Sequence, residues 1–253
     1  MRDVIDKILI RMRHKFLNLC QCPITVFFFH QTSTDYDALR MWSCDWIQID
    51  KIKSFLLHFN KQYTFISLSS AQQHLRYDRF RFKRYAVLTA DDGYKSLMNI
   101  LPWLQEQNIP ITLFINSKYL DGESWSANSE KQIRKILGEQ CAEEELKAVV
   151  KDMYLTKEDL FKISSPLVEI GLHGHEHLDA TLQSTTDFKK NIEQCFHILC
   201  SHPCFVPFFA YPWGHHNEQT DAILTEYNLI PTLVDGLKNY NDTSCIHREL
   251  LHE

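Results

Sequence analysis

The sequence predicts an α/β fold: one barrel-sized domain built on a parallel sheet. Three observations lead there. Apolar runs of strand length alternate with amphipathic runs of helix length, the order that builds parallel sheets with helical crossovers. The chain has 253 residues, a length single (β/α) barrels commonly reach. Polar residues gather where the apolar runs stop, and in parallel α/β folds that edge is where sites assemble.

The elements follow in order. ITVFFFH (24–30) is apolar and rich in β-branched and aromatic residues, as a strand buried on both faces must be. A helix near 49–60 comes next, then YTFISL (63–68) as a strand and SSAQQHL opening a helix with a serine N-cap. YAVLTA (85–90) runs into Asp91-Asp92-Gly93 and a helix to about Gln107. ITLFIN (111–116), VEIGLHG (168–174), CFVPFFAY (204–211) and LIPTLV (229–234) complete the strands, with helices near 187–200 and 217–227. About seven strands suggest a closed or nearly closed barrel. Residues 123–165 interrupt the rhythm with three short charged helices, a helical insertion at the strand ends. Ser129 with Gln132, and Thr156 with Asp159, resemble capping boxes there. Residues 1–22, with Arg2, Lys7, Arg11, Arg13 and Lys15 on a polar side, read as an N-terminal amphipathic helix packed on its own domain, with contact to a membrane surface as the alternative. The whole of 1–253 is expected to form one domain.

Composition narrows the function. The 44% hydrophobic content supports a sizeable core, and the net charge of -5 offers no basic excess for nucleic acid. No run approaches the roughly 20 apolar residues of a transmembrane segment. The opening residues show no uninterrupted apolar leader, and the 8 cysteines lack the spacing of a disulfide scaffold, so a cytoplasmic chain with reduced thiols is expected. The 7 glycines are few beside the roughly 18 of average usage. Gly93, Gly171, Gly174 and Gly214 nevertheless fall inside the polar clusters.

Those clusters carry the chemistry. Two adjacent carboxylates, Asp91 and Asp92, repel each other at a strand end unless a cation relieves them. His173 and His177, four positions apart, can aim both imidazoles at one ion. With one carboxylate they make three protein ligands and leave positions open for water and substrate, the arrangement of catalytic rather than structural zinc. The second carboxylate would be free to accept a proton from water. Amide cleavage also requires an acid for the departing nitrogen, and His30 is the candidate. HEHLD is not the zincin pattern, because Asp179 stands where that pattern needs histidine. A non-haem iron site of two histidines and a carboxylate would leave Asp91 and His30 without a role. Cys195, His197, Cys200, His202 and Cys204 fit no standard zinc spacing and read as helix core and surface. Among Trp42, Trp46, Trp103, Trp125 and Trp213, the last and Trp125 are the best placed to stack on a sugar.

LTADDGY (88–94), GLHGHEHLD (171–179) and FAYPWG (209–214), in this order, resemble the signature motifs of the NodB-homology polysaccharide deacetylases, carbohydrate esterase family 4. ITVFFFHQ resembles the opening strand of the branch that contains biofilm poly-N-acetylglucosamine deacetylases, in which the strand bearing the catalytic acid comes first. The resemblance spans about residues 24–250. It implies a distorted (β/α)7 barrel and metal-dependent hydrolysis of N-acetyl groups on amino-sugar glycans or glycoconjugates. It further implies Asp91 as general base, Asp92, His173 and His177 as metal ligands, and His30 as acid. The oxyanion would meet the backbone N–H of Trp213. Tyr211 and Pro212 of the third motif are expected to touch substrate; Trp125 is the further stacking candidate, and His215 beside that motif either touches substrate or is a helix-start surface residue. Zinc is the expected ion, with nickel, cobalt or iron as substitutes. Ala90 and Ala210 depart from the family pattern, the latter where many members carry an arginine that orients the base. Arg248 is the candidate replacement. A catalytically weak or inactive carbohydrate-binding protein on the same barrel is the alternative, which the joint presence of base, ligands and acid disfavours.

Overall fold

Seven parallel strands close on themselves in the computed structural model, which describes residues 22–34, 46–78, 81–151 and 153–251. The barrel strands are β1 (Ile24–Phe29), β5 (Tyr85–Ala90), β6 (Ile111–Ile115), β7 (Val168–Leu172), β8 (Phe205–Ala210), β9 (Ile230–Val234) and β10 (Ile246–Leu250). Neighbours pair in the order β1-β5-β6-β7-β8-β9-β10, and β10 returns to β1 through Phe27↔Glu249 and Phe28↔Leu250. The fold is thus the (β/α)7 barrel expected, with β1 as its closing strand. Helix 1–22 falls outside the described residues except for Cys22.

Strands buried on both faces explain the apolar runs. Ile24, Val26, Val87, Phe114, Phe208, Ala210 and Ile246 form one buried cluster, which belongs to the barrel interior. Phe27, Phe29, Leu88, Leu113, Ile115, Ile170 and Leu172 alternate with them and pack outward under the helices. Gly171 points inward on β7, where an added Cβ would sit 2.6 Å from the Phe114 ring. The absent side chain is what makes room for that ring.

The strand list departs from expectation in two places. Of 63–68 only β4 (Thr64–Phe65) is extended, and it pairs with Tyr85 and Ala86 outside the closed ring. Ser67 then caps α2 (Leu68–Tyr77), which follows α1 (Ile49–Asn60). The buried face of α2, Leu68, Ala71 and Leu75, packs against the interior cluster. Its first amides, Leu68 N–H and Ser69 N–H, donate to the Glu169 carboxylate of β7, a negative charge placed at the helix's positive end. The seventh barrel strand is β10, and its text IHREL hides it. Arg248, fully buried, occupies a position that pattern reading reserves for an apolar residue.

The remaining short strands β2 (Gln31–Ser33) and β3 (Trp46–Gln48) pair with each other beyond the end of β1. Helix α3 (Leu101–Glu106) leads from β5 to β6, while α7 (Thr185–Leu199) and α8 (Glu218–Glu226) cross between the later strands. Between β6 and β7 lie α4 (Ala127–Leu137), α5 (Glu143–Val150) and α6 (Lys157–Lys162). Thr156 and Asp159 do form a capping box at α6. At α4 the cap is Ser126, not Ser129. Ser129 is buried in the first turn, its hydroxyl 2.7 Å from that of Tyr154.

Candidate active site

Because every barrel strand runs the same way, the residues just after β1, β5, β7 and β8 meet at one edge. His30, Asp91, Asp92, His173, His177, Tyr211 and Trp213 line a single cavity there of about 460 Å³.

The two carboxylates diverge at a tight turn. Asp92 has φ 70° and Gly93 φ 74°; consecutive left-handed residues are uncommon, and aspartate tolerates that conformation better than most side chains do. The result separates their partners. Asp91 is buried and accepts two bonds from Arg248, Nη1 to Oδ1 at 2.7 Å and Nη2 to Oδ2 at 2.9 Å. Arg248 lies sandwiched with its guanidinium carbon 5.0 Å from the ring centroids of both Phe28 and Phe114. Burial pushes the Asp91 carboxyl up, and the adjacent guanidinium, with His173 and His30, more than offsets this, so the group is held below the ordinary carboxylate value.

Asp92 faces the histidines instead. Its Oδ1 lies 3.1 Å from His173 Nε2 and 3.2 Å from His177 Nε2. Burial again pushes it up, and the two imidazoles bring it well below the ordinary value. Neither contact is aligned as a hydrogen bond, so this buried oxygen has no hydrogen-bond partner. A buried acceptor left in that state is costly, whereas three donor atoms within 4.8 Å of one another suit one shared cation. The donor set of two imidazoles and one carboxylate with an open side fits a divalent ion of the zinc type. Among the described residues no other His, Cys, Asp and Glu side chains converge in this way.

The supporting shell is built from backbone and amide groups. His173 Nδ1 lies 2.8 Å from Ala210 O; the carbonyl can only accept, so Nδ1 carries the proton and Nε2 is left as the ligand. His177 donates its backbone N–H to the Tyr119 hydroxyl, and its ring meets that of Trp213 edge-on at 4.9 Å. Asn191 holds the intervening loop, accepting His175 N–H at 2.6 Å and donating to Glu176 O. Gly174, φ 82°, is what lets Asn191 approach, since a Cβ would fall 2.8 Å from its Oδ1.

The other expected residues divide. Tyr211 lines the cavity, but its hydroxyl is donated to Asp221 at 2.8 Å. Trp213, at φ 64° and half exposed, stands at the rim. Pro212, Trp125 and His215 are not among the lining residues. Pro212 is buried, Trp125 faces a neighbouring hollow, and His215 bonds Asp179 on the outer surface. Conversely, Asn116, Tyr94, Tyr119 and Tyr154 line the cavity without having been singled out. Asn116 directly follows β6, so the strand-end rule could have found it. Tyr154 comes from the insertion, where no motif marks it. Its segment is stitched to the loop after β5 by Leu155 N–H to Gly93 O and Lys95 N–H to Met153 O. Rings of Tyr94 and Tyr154 stack at 5.2 Å, so the insertion is a wall of the site rather than a surface excursion. In the Cys/His stretch, Cys195 is buried in the core and His202 bonds Leu160 O.

Residues 81–231 match the family model for polysaccharide deacetylases. The chain belongs to the polysaccharide deacetylase family. Among solved structures this deacetylase-family barrel resembles IcaB from Ammonifex degensii, with TM-score 0.69 and 17% identity over 91% of this chain and 92% of that one. It is also similar to the PplD deacetylase of Streptococcus pyogenes, with TM-score 0.67 and 16% identity over 91% and 93%. The BpsB deacetylase domain of Bordetella bronchiseptica gives TM-score 0.65 and 17% identity over 90% and 95%. None of the curated protein sequences matches significantly.

Proposed function

We propose that this polysaccharide deacetylase removes N-acetyl groups from an amino-sugar glycan or glycoconjugate, using one divalent ion, zinc by its donor set. The observation that carries the reading is the split environment of two adjacent carboxylates. Asp92 converges with His173 and His177, while Asp91 is taken by Arg248. One aspartate is thereby a ligand, and the other a base kept ionised by a guanidinium.

Bound to Asp92, His173 and His177, the ion would polarise the acetyl carbonyl and make a water acidic near neutral pH, its pKa falling from 15.7 to about 7. The chain's own groups then divide the work. Asp91 accepts the proton of the attacking water, and Arg248 orients that carboxylate in place of the arginine missing at Ala210. The backbone N–H of Trp213 stabilises the developing oxyanion. His30 delivers a proton to the departing nitrogen, so that the C–N bond breaks to acetate and a free amine; an imidazole can carry that proton near neutral pH. Trp213 and the tyrosine wall supply the apolar face against which a sugar ring packs. The PplD structure was obtained with acetate bound, the product expected here. Acetate release across N-acetylated glycans, with the metal-stripped protein as control, tests the reading. Release that disappears on stripping and returns with zinc supports it, and no release from any N-acetylated glycan contradicts it.

A further inference from the structure

Trp213 is bent into a conformation that a bulky side chain resists. Its φ is 64° and that of Gly214 is 71°, and an aromatic residue in the left-handed region is strained. Such strain persists only where the surroundings over-determine it. The Trp213 ring cannot do this alone, since it is half exposed and meets His177 only edge-on. On its far side the turn is pressed against the end of β9, where a Cβ added to Gly214 would fall 3.3 Å from Val234.

The ties that hold the turn lie on its two flanks and meet at one carboxylate. Before the turn, Tyr211 is buried and donates its hydroxyl to Asp221 Oδ1 at 2.8 Å. After it, His216 Nδ1 lies 3.1 Å from Asp221 Oδ2; an ionised carboxylate can only accept, so this nitrogen carries the proton. The rings of Tyr211 and His216 stack at 5.5 Å. Asp221 stands in the first turn of α8, whose start is itself fixed. Asn217 Oδ1 accepts Thr220 N–H at 3.0 Å, and Thr220 Oγ1 accepts Asn217 N–H at 2.9 Å. Residues 211–216 thus form a loop closed at both ends on a firm base. Another tie, His215 Nδ1 to Asp179 Oδ2 at 2.5 Å, reaches the loop that carries His177, but His215 is 61% exposed and such pairs contribute little.

We infer that Asp221 is a positioning residue for the deacetylation: it staples Tyr211 to His216 and so holds the strained turn with the Trp213 N–H aimed at the oxyanion. Asp221 is not among the residues that line the cavity, so it acts through the turn. The inference rests on the catalytic reading above and adds to it the group that preorganises the oxyanion donor.

The test pairs kinetics with amide exchange on the zinc-loaded protein. In Asp221→Ala, and separately in Tyr211→Phe, kcat should fall about 10- to 10²-fold, with KM and zinc content unchanged. Tyr211→Phe keeps the ring and removes only the hydroxyl, which keeps the test open if the alanine variant fails to fold. The fall should be equal for an N-acetyl amide and an activated acetate ester, because both pass through an oxyanion. Asp221→Asn retains an acceptor for the Tyr211 hydroxyl and should recover most of kcat. Backbone amide exchange over 211–217, read by mass spectrometry, should quicken about tenfold in the first two variants and stay at the wild-type rate elsewhere. An Asp221→Asn protein as slow as Asp221→Ala, a loss confined to the amide, or unaltered exchange in the folded variants would overturn the positioning role. Quickened exchange in a protein whose wild type releases no acetate would sustain the staple and sink the catalytic reading instead.

Discussion

Asp91 and Arg248 show how one residue's chemistry is set by another far away in sequence. Burial is the largest influence on Asp91 and acts to raise its pKa; Arg248 foremost, with His173 and His30, reverses the sign. The folded value lies below the ordinary 3.8, so the stabilisation from this pair is full above that value. It is lost as pH falls through the lower, folded one. In Arg248→Ala burial would prevail, and the acidic limb of the kcat/KM profile should move to higher pH. Stripping one partner from a buried pair costs about 3–5 kcal/mol, so Arg248→Lys is the gentler probe. It keeps the charge, loses the two-pronged bond and should shift the limb less, in the same direction. An unmoved limb in both variants would deny Asp91 the role of base. His30→Ala should retain metal and slow amide hydrolysis about 10²-fold, while an acetate ester with a good leaving group slows much less. Equal slowing of both substrates would make His30 structural. The aspartates and histidines were legible in the sequence because few other structures need those residue types at that spacing. Tyr94, Tyr119 and Tyr154 were not, since a buried tyrosine reads as ordinary core; Asn116 lay within reach of the strand-end rule.

The strands read most clearly were those buried on both faces, because only they are continuously apolar. β10 escaped notice through Arg248: the charge that hides the strand is the one expected from the sequence to orient Asp91, and it does pair with that carboxylate. The segment 63–68 misled in the opposite direction. Its apolar residues divide between the outer core, which takes Tyr63 and Phe65, and the interior cluster, which takes Ile66 and Leu68 at the start of α2, where Glu169 anchors the helix from inside the barrel. Ser129 looked like a cap because it begins a run with helical spacing; the helix starts one turn earlier, at Ser126. Gly171 offers a test at this scale. With its Cβ 2.6 Å from Phe114 and 3.2 Å from Phe208 O, Gly171→Ala should destabilise the barrel by about 1–3 kcal/mol, read as a lowered denaturation midpoint at unchanged slope. Wild-type stability in this variant would refute the account of interior packing.

At the scale of the molecule, closure of the barrel is what brings the chemistry together. β1 pairs with β5 on one side and β10 on the other, so His30, Asp91 and Arg248 arrive from three adjacent strands. The histidines arrive from β7, and the insertion leans Tyr154 over the result. The division of labour between the two aspartates is the centre of the account, and metal content measured beside acetate release tests it most directly. Asp91→Asn should bind one equivalent of zinc as the wild type does and lose about 10²–10⁴-fold in turnover. Asp92→Asn should lose the metal, as His173→Ala and His177→Ala should. Equal zinc loss in Asp91→Asn and Asp92→Asn, or full zinc occupancy in both, would contradict the account.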